Sequence, residues 1–441
     1  MKEQTYTIKN NIENNNIKFE RYEISILENG LRIISETIPH FRSISLGFWI
    51  PAGSRNETPE INGITHLIEH LLFKGTTNRT YKEIAIEFDS MGAEFNAFTD
   101  KENSCVYADF IDSHLDKCIE ILFDVVTSPS FLPESIKLEK KVVLEELKMV
   151  KDNPSDEIFN YFYEVVFNGH PLGLPILGTK KSINLLDFQT IQQYFKNNFN
   201  LNKMVISAAG NVKHKVLVEL VKSNIEKISD KISFNNNNKK DLETSLNYIK
   251  KKKLYKSKTQ TSHLCLGGPG CSRKSSDKYA LSLFTNILGG SISSRLFQKV
   301  REEKGLSYTI FASNTQYTDT GIIAIYAAAS HTNLQRVIDL IISELKLIQK
   351  NGINTYELEI AKENTKGAIV LGVEDISSRM FRLGKALLID GNVLTINEIL
   401  KKIDATSIEK VNEIADKYFN PDKLSIVIIS KNTNTSNIIK K

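Results

Sequence analysis

The period of apolar and polar positions changes repeatedly along the chain, and each change marks an element. Glu23-Ile24-Ser25-Ile26-Leu27 and Arg32-Ile33-Ile34-Ser35-Glu36 alternate on either side of Asn29-Gly30, which predicts a two-stranded hairpin. A strand over 45–51 leads into 63–75, where Leu67, Ile68, Leu71 and Leu72 leave only a narrow polar edge, as a nearly buried helix would. A second helix is expected near 81–91, followed by a hairpin of 92–99 and 104–110 about the turn at 100–103. Helical periodicity returns over 114–127, 135–150 and 156–167, and a strand over 204–209 closes this half.

Between 229 and 253 the chain turns polar and low in complexity, with asparagine at all of 235–238, as an interdomain linker would. Beyond it the order of elements begins again. Ser262-His263-Leu264-Cys265-Leu266 with Gly267-Gly268-Pro269-Gly270 echoes 45–53, and a helix over 279–288 ending in Gly289-Gly290 echoes the one ending in Lys74-Gly75. Tyr107-Ala108 followed by Leu115, Cys118, Ile119 and Leu122 is matched by Tyr326-Ala327 followed by Leu334, Val337, Ile338 and Ile341. An internal duplication follows, divided as a domain at 18–230, a linker at 231–253 and a homologous domain at 254–435. The 441 residues are too many for one core and suit two.

Composition narrows the function classes. At 41% hydrophobic and 25% charged the chain is ordinary globular protein. A net charge of +5 set against 57 basic and 52 acidic residues argues for no nucleic-acid or membrane partner, and the Lys250 to Lys253 run reads as solvated linker. Cys105, Cys118, Cys265 and Cys271 are too scattered for a disulfide framework or a thiolate metal site. The N-terminus, Met1-Lys2-Glu3-Gln4-Thr5-Tyr6, resembles neither a secretory signal nor a transit peptide, and no run of apolar residues is long enough to span a membrane. A cytoplasmic location is the expectation.

The chemistry gathers on the polar edge of the 63–75 helix. His66 and His70 lie one turn apart with Glu69 beside them, so two imidazoles and a carboxylate project together. The order His-x-x-Glu-His inverts the His-Glu-x-x-His of common zinc proteases; in both, two histidines bind Zn²⁺ and the glutamate stays free as a base. With the terminal glycines aligned, the duplicate has Ala280, Leu283 and Phe284 where the first copy has His66, Glu69 and His70, so one zinc per chain is expected. A catalytic zinc takes three protein ligands, and Glu139, Glu145 and Glu146 are candidates for the third. Glu139 and Glu146 share a helix face, while spacing alone allows a solvated charged face as well.

His-x-x-Glu-His, then glutamate in Val142-Val143-Leu144-Glu145-Glu146, then Asn153-Pro154 and Gly169-His170-Pro171-Leu172-Gly173, resembles the pitrilysin/insulinase family of inverzincin metallopeptidases. The likeness is nearest to processing-peptidase-like short bacterial members and runs from about Glu23 to Ile429. It implies an α+β fold of two homologous halves, each a mostly antiparallel sheet with helices packed on it. It makes Glu146 the third zinc ligand and Glu139 a carboxylate that orients a ligand histidine. It makes Asn96, Ala97 and Phe98 part of an edge strand that lays down an extended peptide. Arg301 and Tyr308, in Arg301-Glu302-Glu303-Lys304-Gly305-Leu306-Ser307-Tyr308, match the family segment that reaches the substrate. One departure stands out, because Asp156 and Asn160 occupy positions that are both acidic in the arginine-directed mitochondrial enzyme. The resemblance therefore implies a zinc endopeptidase, with Glu69 as the base, that acts on peptides or extended segments within a chamber. A homodimer would close that chamber, or a heterodimer with an inactive homologue. The alternative is a non-catalytic structural or partner subunit of such a complex.

Overall fold

The structure is a computed structural model that describes residues 3–9, 21–228 and 246–431; the asparagine run and most of the expected linker lie outside the described residues. Seven strands come first: β1 (Glu3–Lys9), β2 (Arg21–Leu27), β3 (Arg32–Thr37), β4 (Ser43–Ile50), β5 (Glu94–Thr99), β6 (Ser104–Ile111) and β7 (Val205–Gly210). Five follow: β8 (Lys252–Lys256), β9 (Ser262–Gly270), β10 (Ser307–Gln316), β11 (Gly321–Ala329) and β12 (Ser425–Ser430). They form two sheets, ordered β1-β2-β3-β7-β4-β6-β5 and β10-β11-β9-β12-β8.

Read from its β5 edge, the first sheet has the strand plan of the second, with β5-β6-β4-β7-β3 corresponding to β10-β11-β9-β12-β8. In each, one pair is parallel, β3 with β7 and β8 with β12, and the remaining pairs are antiparallel. The registers also correspond, since Leu46 pairs with Ala108 and Leu264 with Ala327, each alanine preceded by a tyrosine. The duplication read from the sequence is thus a duplication of topology. The strand β1, which pairs antiparallel with β2 at the far edge, extends the first sheet into a stretch outside the expected domain of 18–230.

The compact units are not continuous in the chain. One comprises Met1–Leu147, Pro175–Glu243 and Leu371–Asn397, and the other Lys148–Leu174, Thr244–Val370 and Glu398–Lys441. A division at the linker assigns 148–174 and 371–397 the other way, and the reason for the difference lies in the sheets. Strand β4 is buried from Ile44 to Ile50, so both faces of the first sheet need cover. Leu46, Phe48 and Ile50 pack with Leu67, Leu71 and Leu122 on one face. Trp49, Cys105 and Val205 on the other meet Met380, Leu383 and Leu387 of the Ile376–Ile389 helix. Gly384 permits that approach, because a β-carbon there would strike the Trp49 indole. Trp49 Nε1 in turn donates to Ser207 Oγ at 2.9 Å.

The second unit follows the same logic. Leu264, Leu266, Ile323 and Ile325 cover one core with Leu281, Phe284 and Val337. On the opposite face Cys265, Tyr326 and Val427 receive Ile158, Phe162 and Val165 of the Pro154–Val166 helix, which Asn153 caps and Pro154 opens.

Candidate active site

The helix that carries the inverted motif spans Ile64–Leu72, with Leu67, Ile68, Leu71 and Leu72 buried as expected. Its N-cap is Gly63 at φ 91°, which has no side chain to satisfy the first amides. Glu57 supplies the missing acceptor from six residues earlier: Oε2 accepts from Gly63 N at 2.7 Å and Asn62 Nδ2 at 2.8 Å, and Oε1 from Thr65 N at 2.9 Å. Burial pushes this carboxyl up to about 7, against the pull of those donors.

One turn inside, the two imidazoles aim their Nε2 atoms at one carboxylate. His66 Nε2 lies 3.7 Å from Glu146 Oε2, and His70 Nε2 lies 3.5 Å from Glu146 Oε1. Among the described residues, His66, His70 and Glu146 form the one group whose ligand atoms all fall within 4.8 Å of one another. A tetrahedral zinc with bonds near 2.1 Å needs ligand atoms roughly 3.4 Å apart, so the spacing fits. The donor chemistry fits too. Burial, then the neighbouring His70, pulls His66 down to about 3, so it is a neutral imidazole across the physiological range. A neutral ring facing a carboxylate is no ion pair, and a cation is what those lone pairs lack.

Glu146 and Glu139 sit two turns apart on the Pro133–Asp152 helix. Glu139, only 2% exposed, places Oε2 3.0 Å from His70 Nδ1. Its other oxygen lies 2.9 Å from Lys74 Nζ, a charge contact off the line of a hydrogen bond. The order Lys74, Glu139, His70 therefore fixes the histidine's ring and favours the tautomer with its proton on Nδ1. Glu69, on the same turn as the histidines, is raised above the usual carboxylate range, chiefly by burial. The Thr99 hydroxyl donates to its Oε2.

Strand β5 ends the first sheet, so its outer edge is unpaired among the described residues. Asn96, Ala97 and Phe98 lie there, paired on the inner side with Tyr107, Val106 and Cys105. Arg301 and Tyr308 belong to the second unit. Arg301, in the helical turn Phe297–Glu302, stacks 4.7 Å over the Phe297 ring. Gly305 at φ 60° follows that turn and leads into β10. Tyr308 falls in the register shift between Ser307 and Thr309, a bulge that leaves its side chain 86% exposed. Asp156 accepts from Asn153 Nδ2 at 2.6 Å, and Asn160 donates to Glu157 at 3.0 Å, so both have local structural partners.

Sequence reasoning missed Glu57, Lys74 and Thr99, and each left a trace. Gly63 is a helix start without a capping side chain, Lys74 is one turn beyond His70 on the same face, and Thr99 is the polar member of the β5 face that carries Phe95 and Ala97.

Residues 32–180 match the family model described as insulinase (peptidase family M16), and residues 186–365 match the peptidase M16 inactive domain. The chain is 37% identical over 410 residues to the uncharacterized zinc protease YmxG of Bacillus subtilis, covering 92% of this chain and 98% of that one. It is 34% identical over 392 residues to an uncharacterized zinc protease of Streptomyces coelicolor, covering 88% and 85%. A protease from Helicobacter pylori shares the fold with a TM-score of 0.85 at 21% identity, over 93% of this chain and 99% of that one. A peptidase M16 inactive domain from Pseudomonas fluorescens does so at 0.83 and 19%, over 93% and 98%. With its candidate metal site inside the first matched stretch, the chain belongs to peptidase family M16, the insulinase family.

Proposed function

We propose that this chain is a zinc-dependent endopeptidase that cleaves peptides or extended polypeptide segments. The observation that carries the reading is the convergence of His66 Nε2, His70 Nε2 and Glu146 on one point, with the half-buried carboxylate of Glu69 on the same helical turn. A zinc ion held by those three residues would supply a Lewis acid that polarises the scissile carbonyl and acidifies a water molecule. Glu69, raised above the ordinary carboxylate range, suits a base that takes the proton from that water and passes it to the leaving amine. The open edge of β5 offers main-chain donors and acceptors to an extended substrate, which sets its register without reading its side chains. Asn96, Ala97 and Phe98 would make that pairing.

The same reading gives Arg301 and Tyr308 the substrate's backbone carbonyl and the developing oxyanion. What supports it is the chemistry of the two side chains: the bulge leaves the Tyr308 hydroxyl exposed and able to donate, and Arg301 carries a permanent charge. Processing directed by arginine is not part of the proposal, because Asp156 and Asn160 provide one acid, already bonded to Asn153. A homodimer enclosing the substrate is preferred, since the zinc motif and the Arg301/Tyr308 segment occur in one chain.

A proteome-derived peptide library incubated with the purified protein tests the function. The wild type should cleave, a chelator should abolish cleavage, and zinc should restore it. Glu69→Gln should retain one zinc per chain and lose turnover. A zinc-loaded wild type that cleaves nothing would favour the non-catalytic subunit, and an active Glu69→Gln would remove the base from the scheme.

A further inference from the structure

We propose that Thr99 is a positioning residue that locks the Glu69 carboxylate in one orientation, a role that rests on the peptidase reading above. Strand β5 turns Phe95 and Ala97 toward the core containing the zinc-motif helix, and the two-residue period puts Thr99 next on that face. Valine would suit packing at such a position, and it would leave the hydroxyl's partner unsatisfied. That partner is Glu69 Oε2, on a helix far from Thr99 in sequence.

The direction of the proton is settled by the neighbours. Thr99 pairs with Ser104 across the β5–β6 hairpin, and Ser104 Oγ lies 3.2 Å from Thr99 Oγ1 and 2.8 Å from the Ala52 carbonyl oxygen. The serine proton is directed to those two oxygens, and the Glu69 carboxylate, which as an anion can only accept, is the recipient of the threonine's own proton. A glutamate can rotate about its last torsion with little resistance, and pinning one oxygen fixes the plane of the other. Oε1, which takes part in no hydrogen bond among the described residues, is then the oxygen left to receive a proton. The anchor also ties the base to the strand proposed to align the substrate. Position of the scissile bond and orientation of the base are set by one rigid hairpin, which is what a proton transfer needs.

Thr99→Val keeps the volume and removes the donor. A hydrogen bond to a charged group that is lost at the base should lower kcat by roughly 10- to 100-fold. KM and the zinc dissociation constant should stay within about twofold, because neither the β5 edge nor the ligands change. Thr99→Ser should recover most of the rate, within about threefold of wild type, since it restores the hydroxyl on a less constrained rotamer. A wild-type kcat in Thr99→Val overturns the proposal. So does a matching loss of zinc affinity or failure of serine to rescue, either of which would mean that Thr99 only supports packing. Glu69→Gln run in parallel separates the two levels: if it is inactive while Thr99→Val is not, the positioning role fails and the peptidase reading stands.

Discussion

Glu139 offers the most direct measurement of how the metal site is held. Its carboxylate is nearly buried between His70 Nδ1 at 3.0 Å and Lys74 Nζ at 2.9 Å, so it bonds the ring on one side and balances a cation on the other. Glu139→Gln preserves size and leaves one oxygen to accept from the histidine, but the negative charge beside the ring is gone. The new amide must then face an ammonium group. Lys74 is a third exposed and can swing toward water, so the penalty falls mainly on the histidine. Partners of ligand histidines are worth roughly 10- to 100-fold in metal affinity, about 1.4–2.7 kcal/mol. Glutamine should lie near the lower end of that range and Glu139→Ala, which removes the acceptor too, near the upper. Competition with a chromophoric chelator at neutral pH reads the affinity directly, and melting curves in excess chelator report whether the apo fold is intact. If Glu139→Ala holds zinc as tightly as wild type with an unchanged apo fold, packing alone orients His70 and the carboxylate has no part in the site.

Tyr308→Phe should lower kcat by roughly 10²–10³ with zinc content unchanged, the usual cost of a lost oxyanion donor, and Arg301→Ala should raise KM more than it lowers kcat. Peptide cleavage by Tyr308→Phe at the wild-type rate would take that side chain out of the reaction. Light scattering should find a dimer under assay conditions; a fully active monomer would discard the two-chain chamber. The second unit should show an acid limb of its own. Burial pushes Asp277 up, but Lys410, Lys417 and Tyr418 outweigh it and hold the group at about 2, below the ordinary 3.8. The native state therefore binds fewer protons than the unfolded one in that interval, so this stability is present above about 3.8 and is lost as pH falls toward 2. Urea midpoints taken across that range should slope less in Asp277→Asn than in wild type, and an identical slope would refute the assignment.

What the sequence made legible is what depends on local period. The Ile64–Leu72 helix, the β5–β6 hairpin and the long helix bearing Glu139 and Glu146 all came within a few residues of their observed limits, because each carries its apolar stripe or alternation in its own residues. Tertiary choices were not legible. The stripe of the Ile376–Ile389 helix says that Met380, Leu383 and Leu387 are buried, and is silent on which sheet buries them. Nothing local tells that Pro154–Val166 covers the sheet of the second half. Glu57 escaped for a related reason, since its carboxylate reaches the helix start only after the loop of 57–63 has folded back. The three candidate zinc ligands differ in the same way: His66 and His70 are one turn of one helix, while the choice of Glu146 over Glu139 needed the crossing of two helices or a family likeness.

The second half supplies the control that a single domain would lack. Its helix Lys278–Thr285 occupies the place of the zinc-motif helix, and Ala280, Leu283 and Phe284 are all buried there in one apolar core. Phe284 fills against Phe419 with ring centroids 4.8 Å apart, so the space is taken by packing. The strand plan, the parallel pair and the Leu–Ala register are nevertheless those of the first half. Polar residues at 66, 69 and 70 are therefore not a requirement of this topology. Burying two imidazoles and a carboxylate where apolar side chains would do costs free energy. Glu139 and Thr99 offset part of that by hydrogen bonds to His70 and Glu69, while His66 Nδ1 has no partner among the described residues. A cation shared by the two Nε2 atoms and Glu146 would offset the rest, which is the physical reason for reading these three as a metal site and not as packing. His66→Ala, His70→Phe and Glu69→Leu combined, which copy the second half at the corresponding positions, should raise the melting temperature of the metal-free protein or leave it unchanged, and a large fall would show that these side chains hold the fold without zinc.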